Sequence, residues 1–187
     1  MKEIRQIVIA PDSFKGTMEA SQVCQIIQGS ARQYFPDAAV RCIPMADGGE
    51  GMVDAYLKLL GGRKVLLSVQ GLQGRPVACY YGILPDGTAV MEMAACAGLP
   101  LLDGALDPMH TTTYGVGEML LHAERNGVRG VLLGIGGSAT NDGGMGLLNG
   151  LGMRFLDAEG RELYPCGASL GKVARLDDSG LDARLKA

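Results

Sequence analysis

A glycine-dense loop that follows an apolar run is the part of this sequence best suited to chemistry. The run begins at Val128 and leads into GGSATNDGG, which carries Ser138, Thr140, Asn141 and Asp142. Glycine lets main-chain N–H groups approach an anion closely, and a helix that follows such a loop directs the positive end of its dipole at the same point. Hydroxyls can bind phosphate oxygens and Asp142 can bind a metal ion, so the segment predicts a phosphate site.

Two more polar loops with glycine follow predicted strands nearer the N-terminus. They are PDSFKG at 11–16 and ADGGEG at 46–51. Loops that follow parallel strands meet at the carboxyl edge of the sheet, where ligands bind in open α/β folds. We therefore expect the three loops to share one site.

The side chains of these loops are complementary for phosphoryl transfer. A lysine can neutralise a phosphate, carboxylates can hold a divalent cation or take a proton, and hydroxyls with glycine amides can bind phosphate oxygens. The candidate residues are Asp12, Ser13, Lys15, Asp47, Gly48, Gly49, Glu50, Gly136, Gly137, Ser138, Thr140, Asn141, Asp142, Gly143 and Gly144.

Helix capping is the alternative explanation for the acidic residues. Asp47 and Glu50 have the spacing of a capping pair, and Asn141 or Asp142 could cap the next helix. Caps do not require paired glycines, and a glycine inside a helix costs about 1 kcal/mol. The paired glycines therefore favour a group that approaches the backbone closely, although both interpretations stay open for either loop alone.

Other polar residues have two possible roles each. Glu92 lies between apolar neighbours in VMEMAAC, so on a buried strand it would need a partner such as a cation or a substrate hydroxyl. On an edge strand it would be ordinary. Thr111, Thr112 and Thr113 could provide an N-cap or a row of hydroxyls for a substrate.

A dinucleotide-binding oxidoreductase is the rival class of protein. Gly134, Gly136 and Ala139 fit the pattern G-x-G-x-x-A after a strand, and Asp157 lies at a suitable distance for a ribose contact. That pattern should run directly into a helix, whereas residues 140–144 delay one. The delay disfavours the rival.

The apolar periodicity predicts two strand–loop–helix units followed by a change of pattern. Segments 4–10 and 39–44 are typical of buried strands, each followed by a loop and an amphipathic helix, which favours a parallel sheet. Between residues 64 and 102, short β-rich runs separated by turns predict an antiparallel meander. A helix near 113–126 precedes the glycine-dense loop, and 153–165 resembles a hairpin.

The composition excludes several classes of function. The 187 residues carry a net charge of -3 and no dense basic stripe, which argues against a nucleic-acid partner. No apolar run approaches the roughly 20 residues of a membrane span. The five cysteines have no metal-ligand or disulfide spacing, and we expect reduced, mostly buried thiols in a cytoplasmic protein.

Four segments together closely resemble the bacterial glycerate kinase family that forms 2-phosphoglycerate. They are APDSFKGTMEA at 10–20, PMADGGEG at 44–51, TTTYGVGE at 111–118 and GIGGSATNDGGMG at 134–146. The resemblance implies an α/β fold whose two domains flank a cleft, where ATP with Mg²⁺ phosphorylates D-glycerate. One of the domains would be Rossmann-like and discontinuous in sequence.

The resemblance also implies an incomplete molecule, because family members continue well beyond this length. Residues 1–62 would form the N-terminal part of the Rossmann-like domain and 63–187 the second α/β domain, with the meander and the GGSATNDGG loop. Segment 106–152 could instead pack with the first domain. An incomplete parallel sheet would expose an edge and apolar surface, so we expect self-association or poor stability.

The mechanism follows from the resemblance as a hypothesis. Asp47 would orient or deprotonate the glycerate hydroxyl, Lys15 would offset phosphoryl charge, and Asp142 would bind Mg²⁺ directly or through water. The glycine amides, Ser138 and Thr140 would lie near the phosphoryl group. The roles of the two aspartates could be exchanged, and the chain could also be a catalytically inactive nucleotide- or phosphate-binding fragment.

Overall fold

The N-terminal part of the chain forms a strand–helix–strand unit. The computed structural model describes residues 4–14, 17–104 and 106–182. The first elements are β1 (Gln6–Ile9), α1 (Ala20–Tyr34) and β2 (Ala39–Cys42). The two strands pair in parallel, and α1 buries Val23 and Cys24. The predicted order of strand, loop and helix is confirmed, with both strands shorter than the sequence indicated.

The second sheet contains the predicted meander and one further strand. Its strands are β3 (Arg63–Gln70), β4 (Pro76–Ile83), β5 (Thr88–Glu92) and β6 (Gly130–Gly134), which lie side by side in that order. The first two pairings are antiparallel, whereas β5 and β6 are parallel. The meander is therefore confirmed, and it continues into a parallel pair.

The expectation that all three loops leave one parallel sheet is wrong. The 11–16 and 46–51 loops follow β1 and β2, which form a sheet of their own, whereas the 136–144 loop follows β6 of the second sheet. Strand order depends on distant pairing partners, which local periodicity does not report. Any shared site must therefore be built between two sheets.

Four helices complete the layer against the second sheet. They are α2 (Met52–Leu60), α3 (Ala94–Ala97), α4 (Tyr114–Arg125) and α5 (Met145–Gly150). Helix α2 packs on β4 and β5, α4 packs on β3, and α5 packs on α4. Tyr81, Met91, Val116 and Met119 are fully buried between these elements. The main core of the described residues thus lies under the second sheet.

The packing of α2 bears on the domain boundary expected at residue 62. This helix precedes the boundary in sequence, yet it packs on strands that follow it. The division into 1–62 and 63–187 stays a prediction. Among the described residues, the helices are all too short or too polar to cross a membrane.

The C-terminal part differs from the predicted hairpin. β7 (Arg154–Leu156) pairs antiparallel with β8 (Arg175–Asp177). The segment expected as the second arm does fold back on β7, with an isolated bridge between Leu156 and Glu162 and backbone hydrogen bonds from Asp157 to Arg161 and from Leu163 to Phe155, but it is not a strand. The regular ladder, over three residue pairs, is the one with β8.

The five cysteines are unpaired, and four of them are buried. Burial raises the pKa of the Cys96 thiol to about 12 and that of Cys79 to about 11. Thiols with raised pKa values are poor nucleophiles at neutral pH. The expectation of mostly buried, free thiols is confirmed.

Apolar side chains are exposed on β1 of the first sheet and on β6 at one edge of the second sheet. Val8 of β1 is 63% exposed, and Val131 and Leu132 of β6 are 43% and 38% exposed. β6 is the last strand of its sheet in the described part of the chain. Such an edge offers unpaired backbone groups to another strand. The exposed edge is as expected, while self-association stays a prediction.

Close packing between α4 and α5 gives the first test. A Cβ on Gly117 would overlap the carbonyl oxygen of Leu147 and lie 2.9 Å from the Cα of Gly150. We expect Gly117→Ala to lower the free energy of unfolding by about 2 kcal/mol, because the two helices must separate. Urea denaturation monitored by circular dichroism measures this change.

Gly29→Ala is the matched control. Gly29 lies inside α1, and a Cβ there has no neighbour within 4 Å. This substitution should raise the free energy of unfolding by up to about 1 kcal/mol through helix propensity. Equal effects of the two substitutions would contradict the assignment of tight packing at Gly117.

Candidate functional site

The second and third glycine loops lie against each other. The backbone N–H of Gly136 donates a hydrogen bond of 2.9 Å to the carbonyl oxygen of Gly48. A Cβ on Gly136 would lie 2.7 Å from the amide nitrogen of Gly49, and one on Gly134 would overlap the carbonyl of Gly48. The close approach that the glycines indicated is therefore, at these positions, an approach of one loop to the other.

Asp47 forms a tight turn at this junction. Its Oδ1 accepts the N–H of Gly49 at 2.9 Å, and Gly48 between them has φ of 87°, a conformation that favours glycine. The Asp47 side chain is exposed. A Cβ added to Gly49 would meet the same Oδ1 at 3.0 Å and the carbonyl carbon of Gly136 at 3.4 Å. Asp47 therefore lies beside the GGSATNDGG loop, as expected.

Glu50 lies on the same side of the junction. Its Oε1 is 3.9 Å from the position that a Cβ of Gly137 would occupy, and the residue is exposed. Gly137 itself has φ of 71°. Two carboxylates of the 46–51 loop thus reach the first turn of the 136–144 loop. This is the juxtaposition that the sequence predicted for a phosphoryl-transfer site.

The hydroxyls of Ser138 and Thr140 form a local pair. Their oxygens are 2.9 Å apart, and the N–H of Thr140 donates to Ser138 Oγ at 3.2 Å. The preceding backbone is fixed by a bond of 3.1 Å from Leu99 N–H to the Gly137 carbonyl and a bond of 2.9 Å from Ala139 N–H to the Ala97 carbonyl. Sequence inspection missed this anchor, because nothing in the segment 97–99 indicates its partner.

Asp142 is buried and fully engaged with backbone and hydroxyl donors. The residue is 2% exposed. Its Oδ2 accepts the N–H and Oγ1–H of Thr113, both at 2.8 Å, and the N–H of Gly146 at 3.0 Å. Its Oδ1 accepts the N–H of Gly144 at 3.0 Å. The capping interpretation therefore describes its contacts, and its predicted role as a metal ligand would require some of these bonds to open.

These bonds connect the start of α4 to the start of α5. Thr113 precedes α4, and its Oγ1 also accepts the N–H of Leu147 in α5 at 2.8 Å. Thr111 Oγ1 donates to the carbonyl of Ala139 at 2.9 Å, and Thr112 Oγ1 accepts the N–H of Tyr114 at 3.2 Å. The three threonines are buried, so they cap and anchor rather than present a row of hydroxyls to a substrate.

The first loop is joined to the second through backbone. The N–H of Met45 donates to the carbonyl of Pro11 at 2.9 Å, and Asp12 Oδ1 accepts the N–H of Ser13 at 2.7 Å. This places Asp12 and Ser13 beside the chain that leads to Asp47. Lys15 lies outside the described residues. Asn141 is exposed in the third loop, next to the buried Asp142.

Glu92 lies on an inner strand and has a partner of a kind that the sequence did not indicate. It ends β5 between β4 and β6 and is 7% exposed. Its Oε1 accepts the N–H of Val53, near the start of α2, at 2.7 Å. Burial raises the pKa of Glu92, although the backbone N–H groups of Val53 and Gly51 lower it and the charges on Asp54 and Glu50 raise it further. The partner is thus a helix terminus.

The exposure of the three carboxylates bears on which of them could bind a metal ion. In the described ranges, no group of three or more acidic, histidine or cysteine side chains is arranged to hold an ion. Mg²⁺ in phosphoryl-transfer sites takes one or two carboxylates and completes its shell with phosphate oxygens and water. The exposed carboxylates of Asp47 and Glu50 fit that pattern better than the buried Asp142.

The dinucleotide alternative does not fit the structure. After β6 ends at Gly134, ten residues intervene before α5 begins at Met145. Asp157, the candidate ribose ligand, accepts the backbone N–H and Nε–H of Arg161, both at 2.8 Å. Neither the direct entry into a helix nor the acidic ligand of the fingerprint is in place.

Comparisons with known proteins agree with the motifs. The model of the glycerate kinase family matches residues 7–187. Glycerate 2-kinase of Escherichia coli K12 is 46% identical and glycerate kinase of Bacillus subtilis 168 is 44% identical, each over 97% of this chain and 48% of its own length. A crystal structure of a protein provisionally named glycerate kinase 2, from Salmonella typhimurium LT2, superposes with a TM-score of 0.78 at 43% identity over 97% of this chain and 49% of the other.

The α/β fold is thus shared with a protein that carries the name glycerate kinase. The chain belongs to the glycerate kinase family. It spans about half the length of the curated relatives that it matches.

The contacts of the two aspartates predict unequal effects on stability. Asp142→Ala removes the acceptor of four hydrogen bonds in a buried position, and we expect it to lower the free energy of unfolding by about 3 kcal/mol. Urea denaturation at neutral pH provides the measurement.

Asp47→Ala is the control, since Asp47 lies in a turn of the same Asp-Gly-Gly type but is exposed. It loses the bond to Gly49 at an exposed position, so its cost should stay below about 1 kcal/mol. A stable Asp142→Ala variant would show that the buried carboxylate does not hold α4 and α5 together.

Proposed function

We propose that this chain carries half of a glycerate kinase site, in which ATP phosphorylates D-glycerate to 2-phosphoglycerate. The observation that supports this most is the hydrogen bond between Gly136 and Gly48, because it brings carboxylates of one loop to the glycine-rich loop of another. The Escherichia coli glycerate 2-kinase and the Bacillus subtilis glycerate kinase share 46% and 44% identity with the chain over 97% of its length. They are about twice as long, so the activity of the whole protein is part of the proposal.

The roles of the site residues divide between exposed and buried groups. The amides of Gly137 and Gly143 would face a phosphoryl group together with the hydroxyls of Ser138 and Thr140. The N–H groups of Gly136 and Gly144 instead donate to Gly48 and Asp142 and would hold the loop in shape. Asp12, Ser13, Gly48, Gly49, Glu50 and Asn141 would contribute to nucleotide or substrate binding, and Lys15 would offset phosphoryl charge. Asp47 would orient or deprotonate the glycerate hydroxyl.

We assign the metal to an exposed carboxylate of the 46–51 loop in place of Asp142. Mg²⁺, when bound with ATP, neutralises charge on the transferring phosphoryl group. Glu50 would hold it while Asp47 acts on the glycerate hydroxyl, because both carboxylates are exposed beside the loop. Asp142 would position that loop through Thr113 and Gly146 instead of touching the ion.

A catalytically inactive nucleotide- or phosphate-binding fragment is the second candidate. The chain spans 48% of the relatives' length, so binding by its own loops is a narrower proposal than turnover. We place either form in the cytoplasm, because five free thiols are typical of a reducing compartment.

The experiment combines calorimetric titration with a coupled assay for ADP. Mg-ATP and D-glycerate should each bind to the chain, and turnover should fall about 100-fold in Asp47→Asn while the fold is kept, because a positioned carboxylate contributes factors of this order. Asp86→Asn is the matched control, since Asp86 makes the same type of turn with Thr88 away from the glycine loops.

The outcomes separate the candidates. Binding of Mg-ATP without turnover in the wild-type chain identifies the inactive fragment. Binding of NAD with no response to Mg-ATP would overturn the kinase proposal. Equal turnover in the wild type and Asp47→Asn would remove Asp47 from the mechanism.

Self-association follows from the exposed edge of β6. We propose that the chain forms dimers or larger assemblies at micromolar concentration through this edge. Val131→Lys should shift the sedimentation coefficient towards the monomer, because a lysine on an edge strand opposes pairing. Leu59→Lys is the control, as Leu59 is 81% exposed on α2. A monomeric wild-type chain would contradict the proposal.

A further inference from the structure

Glu92 lies where the two loops of the candidate site, 46–51 and 136–144, are anchored to the fold. It is the last residue of β5, and its register partner in β6 is Gly134, the residue that the 135–144 loop follows. The next amide along the chain, the N–H of Met93, donates to the carbonyl of Gly134 at 2.9 Å. On this side, Glu92 is fixed to the start of the GGSATNDGG loop.

On its other side, Glu92 holds the start of α2. The amides of the first helical turn have no partner inside a helix and need an external acceptor. The residue before α2 is Gly51, with φ of 90° and no side chain to serve as a cap. The carboxylate of Glu92, 39 residues further along the chain, supplies the acceptor by taking the N–H of Val53 at 2.7 Å.

The capped turn directly continues the loop of Asp47. The N–H of Met52, the first residue of α2, donates to the carbonyl of Gly49 at 3.3 Å, and the N–H of Gly49 donates to Asp47 Oδ1. A short series of bonds therefore runs from Glu92 through the first turn of α2 to the carboxylate of Asp47. No step of the proposed mechanism uses Glu92 itself.

We propose that Glu92 is a positioning residue for the candidate site, which sets the place of Asp47 by anchoring the first turn of α2 to the end of β5. The inference rests on the proposed function for its catalytic meaning. Its structural part, the control of the 47–53 backbone by a buried glutamate, holds without any ligand. Glu50, Asp54 and Tyr80 are the other ionisable groups that interact with it electrostatically.

Amide hydrogen exchange followed by NMR tests the structural part. The N–H of Val53 should be protected in the wild-type chain although it lies in the first turn of a helix. Glu92→Met, which keeps the volume and removes the acceptor, should speed exchange at Val53 and Gly49 at least tenfold. The amide of Tyr81 in β4 should stay within twofold, because a positioning role is local.

Two conservative variants complete the comparison. Glu92→Gln keeps an acceptor oxygen and should hold both amides within threefold of the wild type. Glu118→Gln is the matched control, since Glu118 Oε2 accepts the N–H of Gln70 at 2.6 Å in a bond of the same kind between α4 and β3. It should leave Gly49 and Val53 unchanged.

Several results would overturn the inference. They are an unprotected Val53 in the wild type, fast exchange at Val53 in folded Glu92→Gln, and an unchanged Gly49 in Glu92→Met. A uniform increase of exchange across β4 in Glu92→Met would reduce Glu92 to a general contributor to stability. If Glu92→Met does not fold, the exchange rates of Val53 in the wild type and in Glu92→Gln still decide whether Glu92 holds this amide.

Calorimetric titration tests whether this positioning affects ligand binding at the candidate site. Glu92→Met should weaken the binding of Mg-ATP or D-glycerate at least tenfold, and Glu118→Gln should bind both as the wild type does. A wild-type chain that binds neither ligand would refute the proposed function for this chain, while the exchange results would still decide the role of Glu92 in the loop. Wild-type affinity in folded Glu92→Met would overturn its positioning role.

Discussion

The backbone contact between the 46–51 loop and the segment 134–137 is the constraint on which the candidate site depends. A hydrogen bond joins the N–H of Gly136 to the carbonyl of Gly48. The two segments are so close that a Cβ at 134 or 136 would overlap the facing backbone. The loops follow strands of different sheets. This contact places Asp47 beside the GGSATNDGG loop, and the packing of α2 on β4 and β5 supports the same arrangement.

Local patterns predicted the elements well and their partners poorly. The change of period after residue 63 identified the meander, and the glycine clusters identified the loops that meet. The pairing of β6 with β5 could not be predicted, since the choice of a neighbouring strand depends on contacts distant in sequence. The same reason explains the C-terminal part, where β7 pairs with the distant β8 in addition to its contacts with the adjacent segment.

The glycines show how a correct observation can have more than one cause. Paired glycines indicated that something approaches the backbone, and a phosphate was the first hypothesis. At 134 and 136 the approaching group is the other loop. Sequence alone does not distinguish the two causes, because both require only the absence of a Cβ.

The motif Asp-Gly-Gly occurs twice with the same turn and different surroundings. In both copies the aspartate Oδ1 accepts the N–H two residues later, and the glycine between them has a positive φ. Asp142 differs because Thr113, 29 residues earlier, donates twice to its other oxygen and the N–H of Gly146 donates as well. The protein satisfies the hydrogen-bonding demand of a buried carboxylate that has four donors, whereas an exposed one can reach a ligand. The assignment of catalytic and structural aspartates thus depends on a partner that the motif does not contain.

The open edge of β6 lies next to the loop of the candidate site. Val131 and Leu132 lie exposed on the outer strand, and the strand ends at Gly134, where the contact with the 46–51 loop begins. A segment that paired with the open edge of β6 would run alongside the start of the 135–144 loop, because strand pairing extends in register to the strand's end. It would both bury the apolar side chains and restrict the loop that holds Ser138 and Thr140. The edge therefore couples the burial of Val131 and Leu132 to the geometry of the site, whichever strand pairs with it.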